Sequence, residues 1–435
     1  MPRVYIETYG CQMNVSDSEL IAGVLGRAGY AQTPDPASAD VLLVNTCAVR
    51  DHAEQRVLGR LGELKRYKRA DTLLGVVGCM AQRLGPALLA DVPQVDLVVG
   101  PDGYRSLPDL LVAARAGATV DVEFRSWEHY EDVPPVRGDL VSAFITVQRG
   151  CDYRCTFCIV PETRGPERSR RLEDVVREVQ ELAARGTTEV TLLGQTVNSY
   201  HDGAHDFADL LRAVGGVPGV RRVRATSPYP TDFTPRVLAA MAETPAVCEH
   251  VHLPAQSGSS RVLRRMLRRY DRAGYLAVVD ALRLAVPGIA ITTDLIVGFP
   301  GETEADFAET ESLVREAGFD DAYTFRYSPR AGTPATRLHD AVPETVAAAR
   351  LERLISVVRA VAARKNAGLV GTTHEVLVEG TAKRGGLLQT RTRTNKVALL
   401  AGPNAWIGSY RRVHLTGTTG STFTARPAEE LVCLG

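Results

Sequence analysis

The chain has 435 residues, 45% hydrophobic and 23% charged, with Lys plus Arg matching Asp plus Glu at 51 each. That length asks for more than one ordinary domain and can bury a core large enough to dispense with disulfides. Zero net charge says nothing about a polyanionic partner, and a neutral total can still hide local basic faces. The N-terminus MPRVYIETYG runs straight into a strand pattern without a secretory leader, and no apolar run approaches a membrane span. A cytoplasmic protein that needs no membrane is expected. In that reducing compartment clustered cysteines serve metals or catalysis.

Apolar runs near Val4–Thr8, Val41–Asn45, Leu73–Val77 and Val95–Val99 read as strands. Between the first two, SDSELIAGVLGRAGY opens on a Ser16-x-x-Glu19 capping box and stops at Gly29. A helix over about 49–67 fills the next gap. The alternation predicts a parallel-sheet α/β domain over residues 1–115. Acidic residues and a proline pair in EHYEDVPPVRGD mark a linker near 120–139. Over 137–366 a strand–helix unit repeats six times, with strands AFITVQ, EVTLLG, RRVRATS, HVHLP, ITTDLIVGF and AYTFRYS. Six units predict a partial (βα)6 barrel, short of the eight that close. A long helix from about Pro343 to Asn366 leads out. Residues 367–435 change to short alternating segments rich in Gly and Thr, the pattern of a small β-barrel. From 366 onward eight basic residues, Arg384, Arg411 and Arg412 among them, face four acidic ones, which include Glu429 and Glu430. That balance reads either as a solvated face or as a nucleic-acid module.

Six of the eight cysteines form two sets of three. Cys151, Cys155 and Cys158 lie in CDYRCTFC, on the loop after the first barrel strand. Barrel chemistry sits at the carboxyl ends of the strands. Three thiolates there suit three irons of a cubane and leave the fourth iron open; a zinc loop or free thiols are the alternatives. Cys11, Cys47 and Cys79 each end an apolar run: RVYIETYGC, DVLLVNTC and TLLGVVGC. In a parallel sheet those ends share one edge, so the three converge and form a second metal site, unless they are unrelated buried thiols. Cys248 and Cys433 lie outside any ligand spacing and read as small core residues.

The compact spacing in its barrel position resembles the radical S-adenosylmethionine (SAM) superfamily. That resemblance implies a [4Fe-4S] cluster whose open iron binds SAM and whose electron releases a 5′-deoxyadenosyl radical. It places Phe157 near the adenine, although a loop-packing role is open, and it makes Gly194, Gln195 and Asn198 of LLGQTVN candidates for binding SAM. Gly194 is otherwise a strand-end turn glycine.

Both cysteine sets with a C-terminal β-barrel resemble the methylthiotransferases, which carry a TRAM domain at that end. The resemblance rests on YIETYGCQMNVSDSE, NTCAVRDHAEQRVLGRLGELK, LLGQTVNSY, HLPAQSGSSRVL, DLIVGFPGET and SPRAGTPA. QMN and AVRDHAE favour the branch acting on isopentenylated adenosine beside the tRNA anticodon. The other branches act on threonylcarbamoyladenosine or on a ribosomal protein aspartate. The resemblance implies two [4Fe-4S] clusters and two SAM molecules. It also implies an anticodon stem-loop as partner, a flavodoxin- or ferredoxin-like electron donor, and a sulfur source. Two departures stand out: Tyr229 where many relatives show His, and Thr390 where Gly is usual.

The segment SSRVLRRMLRRYDR reads as one helix. Arg261, Arg265 and Arg269 form one row and Arg264, Arg268 and Arg272 a second, with Val262, Leu263, Met266, Leu267 and Tyr270 inward. The rows form either a phosphate-binding stripe or a solvated face.

Overall fold

The computed structural model describes residues 1–48, 51–138, 140–383 and 385–428. Val49 and Arg50 of AVRDHAE, and also Arg384, Glu429, Glu430 and Cys433, lie outside the described residues.

The N-terminal sheet is parallel throughout, in the order β2-β1-β3-β4-β5-β6. Its strands are β1 Arg3–Thr8, β2 Ala31–Gln32, β3 Val41–Thr46, β4 Leu73–Gly78, β5 Leu97–Val99 and β6 Thr119–Asp121. β3 and β4 are buried along their whole length. Helices cover both faces of a parallel sheet, so central strands are apolar without alternation. The four expected strands are present, and two short edge strands add to them. β6 carries the sheet past residue 115 into the expected linker. The rest of that linker is packed: Tyr130 and Val133 join the core formed by Val4, Leu20, Leu43 and Val99, and Val136 donates its N–H to Glu19 O at 2.9 Å.

The six barrel strands are β7 Ser142–Thr146, β10 Glu189–Leu193, β11 Arg222–Ala225, β12 His250–His252, β13 Ala290–Val297 and β14 Asp321–Arg326. A small antiparallel pair, β8 Gln148–Arg149 and β9 Arg168–Ser169, follows the first of them. The six form two parallel triplets, β11-β10-β7 and β12-β13-β14, joined by a parallel bridge from Val223 to Val247. The triplet order gives an open barrel with β7 and β14 at its edges. The helix Glu344–Ala367 leads to β15 Thr373–Thr381, β16 Leu388–Thr392, β17 Val397–Leu400, β18 Tyr410–Thr418 and β19 Thr422–Pro427, which close as 15-16-17-19-18. Thr390 fits this small barrel because its Oγ1 donates to Ala398 O at 2.8 Å.

The segment from Ser259 to Asp271 corrects the single-helix expectation. The helix spans only Ser260–Arg265. It stops in a Schellman motif, with Arg268 N–H donating to Leu263 O at 2.9 Å and Leu267 N–H to Arg264 O at 3.0 Å. Leu267 takes the left-handed position, φ 54°, and is 54% exposed rather than inward. A new helix, Arg272–Ala285, begins after the Asp271 cap. Three of the six arginines are already in ion pairs: Arg261 with Asp306, Arg265 with Asp340 and Arg272 with Glu316. A side chain other than Gly pays for φ > 0 at this site. Leu267→Gly is expected to raise stability by about 1 kcal/mol, read as a higher urea midpoint.

Candidate metal centres

Each of the spread cysteines stands at the carboxyl end of a strand. Cys11 caps the helix Gln12–Arg27 after β1, Cys47 follows β3, and Cys79 opens the helix Cys79–Leu84 after β4. β1, β3 and β4 are neighbours in register, so the three ends meet on one edge as expected. Gly78 enables the turn into Cys79: its φ is +96°, and an added Cβ would lie 2.5 Å from Asn45 Oδ1. Gly10 does the same before Cys11, with φ +151° and Asn14 Oδ1 only 2.1 Å from a Cβ.

Two fully buried asparagines tie these loops together. Asn14 Nδ2 donates to Thr46 O at 3.1 Å and to Asn45 Oδ1 at 3.2 Å, while Asn45 Nδ2 donates back to Asn14 O at 2.8 Å. Cys11 is exposed; Cys47 and Cys79 are buried. A hydrogen bond with Cys47 brings the Cys11 thiol down to about 6, and the charge of Arg164 works in the same direction. Burial raises the Cys79 thiol, opposed by Arg164, whose Nε donates to Cys79 Sγ at 3.1 Å.

The compact set is held by its own loop and by two distant segments. Cys151 N–H donates to Gly165 O at 3.1 Å and Cys158 N–H to Cys155 O at 3.0 Å. Thr156 donates through N–H to Met266 O at 3.1 Å and through Oγ1 to Arg265 O at 3.0 Å. Burial pushes the Cys151 thiol up to about 11 and the Cys158 thiol up to about 12. Arg268 Nη1 donates to Cys155 Sγ at 3.3 Å, and the Arg268 Cζ lies 4.3 Å from the ring centre of Tyr229. Tyr229 stacks on Tyr153 at 3.8 Å, and its hydroxyl accepts the Arg269 N–H at 3.0 Å. It thus braces the loop that carries Arg268.

The donor chemistry of both sets fits an iron–sulfur group. Among the described residues no three His, Cys, Asp or Glu side chains close around one ion position. A cubane asks for something else, since each thiolate binds its own iron. The two sets are adjacent: Ile159, next to Cys158, packs with Cys79 and Ala48.

The residues expected to bind SAM divide. Gln195 Oε1 is buried without a hydrogen-bond partner, an orphan acceptor that suits an ammonium group. Gly194 has no room for a side chain, because a Cβ would meet Gln148 Oε1 at 2.6 Å and Val197 Cα at 2.9 Å. Asn198 is engaged at both ends of its amide, by Tyr229 O at 2.9 Å and Tyr229 N at 2.6 Å. It therefore braces the loop after β11. Phe157 meets Phe299 edge-on at 6.5 Å beside Cys158. Gly194→Ala is expected to weaken SAM binding about tenfold, measured by titration calorimetry.

Sequence alone did not single out Asn14, Asn45, Asp17, Arg149 or Arg164, and it placed Arg268 only in the arginine rows. A signal existed for Arg149 and Arg164, which flank the CDYRCTFC loop.

Family comparisons agree with this geometry. The model of "Uncharacterized protein family UPF0004" matches residues 3–100 and that of the "Radical SAM superfamily" matches 145–314. A tRNA-2-methylthio-N(6)-dimethylallyladenosine synthase of Sorangium cellulosum is 48% identical, over 92% of this chain and 88% of that one. Its counterpart in Geobacter sulfurreducens is 46% identical, over 95% and 94%. Among solved structures, the radical S-adenosylmethionine methyltransferase TsrM from Kitasatospora setae shares the fold at a TM-score of 0.58 and 16% identity, over 77% of each chain. At such identity over nearly full length, the chain belongs to the tRNA-2-methylthio-N(6)-dimethylallyladenosine synthase family.

Proposed function

We propose that the chain is a tRNA methylthiotransferase. It places a methylthio group on carbon 2 of N6-isopentenyladenosine at position 37, next to the anticodon. The observation that carries this reading is the pair of three-cysteine sets, brought together through the short segment from Cys158 to Arg164. A radical centre and a sulfur centre must face one substrate carbon, and one short segment in contact with both supports that geometry.

When bound, two [4Fe-4S] clusters and two molecules of SAM supply radical hydrogen abstraction at one set and the methylated sulfur at the other. The chain's own residues hold and orient. Cys151, Cys155 and Cys158 provide thiolates on the barrel loop, and Arg268 steadies Cys155. Gly194 and Gln195 offer the SAM amino group a close backbone and a free acceptor, and Phe157 borders the adenine. Cys11, Cys47 and Cys79 provide the second thiolate set, fixed by Asn14 and Asn45. The aryl C–H bond is strong and not acidic, so no acid–base dyad is needed.

We assign the sulfur centre to residues 1–115, extended by β6, the radical centre to 137–366 and tRNA contacts to 367–435. The chemistry requires a one-electron donor of the flavodoxin or ferredoxin class and a sulfur source. No helix among the described residues is long and apolar enough to cross a membrane. The test is nucleoside analysis of tRNA from a deletion strain. N6-isopentenyladenosine is expected to accumulate without its methylthio form. Persistence of that form would overturn the reading.

A further inference from the structure

Where the N-terminal sheet meets the barrel, two buried guanidinium groups face one buried carboxylate. Asp17 is 0% exposed, Arg149 4% and Arg164 3%. Arg149 Nη1 donates to Asp17 Oδ1 at 3.1 Å, and Arg164 Nη2 donates to Oδ2 at 2.6 Å. The nearby carboxylates serve other arginines: Asp102 pairs with Arg168, and Glu128 with Arg105. The trio therefore keeps a positive charge in excess. Burying such a charge is costly unless an anion meets it.

The rest of the Arg164 side chain faces the Cys79 side. Its Nε donates to Cys79 Sγ at 3.1 Å. Its Nη1 is buried and has no partner. Arg164 ends the helix Val160–Arg164, which starts just after Cys158, so its backbone belongs to the radical half of the molecule. The guanidinium reaches across to the sulfur half.

We propose that Arg164 is a positioning residue of the sulfur centre. It anchors the Cys79 thiolate and turns its remaining N–H donors and its charge toward the sulfur atoms of the group held there. Three thiolates make that group anionic. A buried cation with hydrogen bonds to sulfur stabilises the extra electron and raises the reduction potential. The inference rests on Cys11, Cys47 and Cys79 holding a cluster. The alternative is that Arg164 only joins the two halves through Asp17.

A redox titration of the full chain decides between these. Cys151, Cys155 and Cys158 are replaced with alanine, and the protein is reconstituted anaerobically with iron and sulfide, so that only the sulfur centre loads. Midpoint potentials followed by electron paramagnetic resonance are compared for Arg164, Arg164→Lys and Arg164→Gln. The glutamine variant is expected to shift to a more negative potential and the lysine variant to recover most of the shift. A glutamine variant with unchanged iron and unchanged potential overturns the proposal. If it does not fold or takes up no iron, Asp17→Asn provides the second reading. Freed of its carboxylate, Arg164 is then expected to move the potential positive, and an unmoved potential overturns the proposal. A parent protein that takes up no iron overturns the cluster reading itself, and the role of Arg164 with it.

Discussion

Cys47→Ala is expected to abolish methylthio transfer to tRNA while 5′-deoxyadenosine is still produced from SAM. Iron should fall from about eight to about four per chain, since each cubane holds four. The separation follows from where the two sets are anchored. Cys47 ends β3, and its neighbours Asn14, Asn45 and Thr46 hold their loops through bonds that do not involve its sulfur. Removing one sulfur from this end costs the fold little, roughly 1 kcal/mol, but leaves two thiolates where three are needed. The barrel loop is held independently, by Gly165, Met266 and Arg265. Cys155→Ala should give the reverse pattern: no 5′-deoxyadenosine, with about four irons retained. Methylthiolation by the Cys47 variant, or its failure to cleave SAM, would sink the division of labour. Anaerobic assay with a chemical reductant reads both products.

What was legible beforehand follows from periodicity and strand ends. β3 and β4 are continuous apolar runs that could only be central parallel strands, so their terminal cysteines had to share an edge. Each of Cys11, Cys79 and Cys151 also follows a glycine in the sequence, a mark of a tight turn into a ligand loop that the spacing argument did not use. The break after Arg265 was not legible, because its left-handed cap is leucine rather than glycine. Propensity alone favours continuing a Leu- and Arg-rich helix; the Schellman bonds of Leu267 and Arg268, and the contact of Arg268 with Cys155, override it. The Asp17–Arg149–Arg164 trio was illegible for another reason. Asp17 stands 132 residues before Arg149 and 147 before Arg164, and isolated charges in a sequence read as surface.

Truncation after about Asn366 is a poor test of where tRNA binds, because the small barrel is tied to the radical half by buried side chains. Arg222, fully buried, donates through Nη1 to Arg391 O at 2.8 Å and through Nη2 to Glu375 O at 3.1 Å. Arg224 donates to Arg393 O at 2.9 Å and to Thr392 O at 2.8 Å. Arg393 reaches back to Glu249 at 2.8 Å, and Lys396 to Asp320 at 3.1 Å. Cutting the chain would strip these partners from Arg222 and Arg224 and bare the surface that the small barrel covers, and lost binding would then also report a disturbed radical half.

Surface charge offers the cleaner test. Arg411 and Arg412 are exposed on β18, and Arg411 stacks 4.7 Å from the Trp406 ring, a pairing that holds a guanidinium out for phosphate. Phosphate contacts position the nucleic acid and release counterions. Replacing both arginines with alanine is expected to weaken tRNA binding about tenfold or more near 0.1 M salt, and to flatten the slope of log affinity against log salt by about 1.5–2. Neither side chain supports the buried pairs around Arg222, so the melting temperature should hold, and SAM cleavage without tRNA should be unchanged. A variant whose salt slope equals that of the parent would show that the tRNA lies elsewhere, and the basic face of the small barrel would then be only a solvated surface.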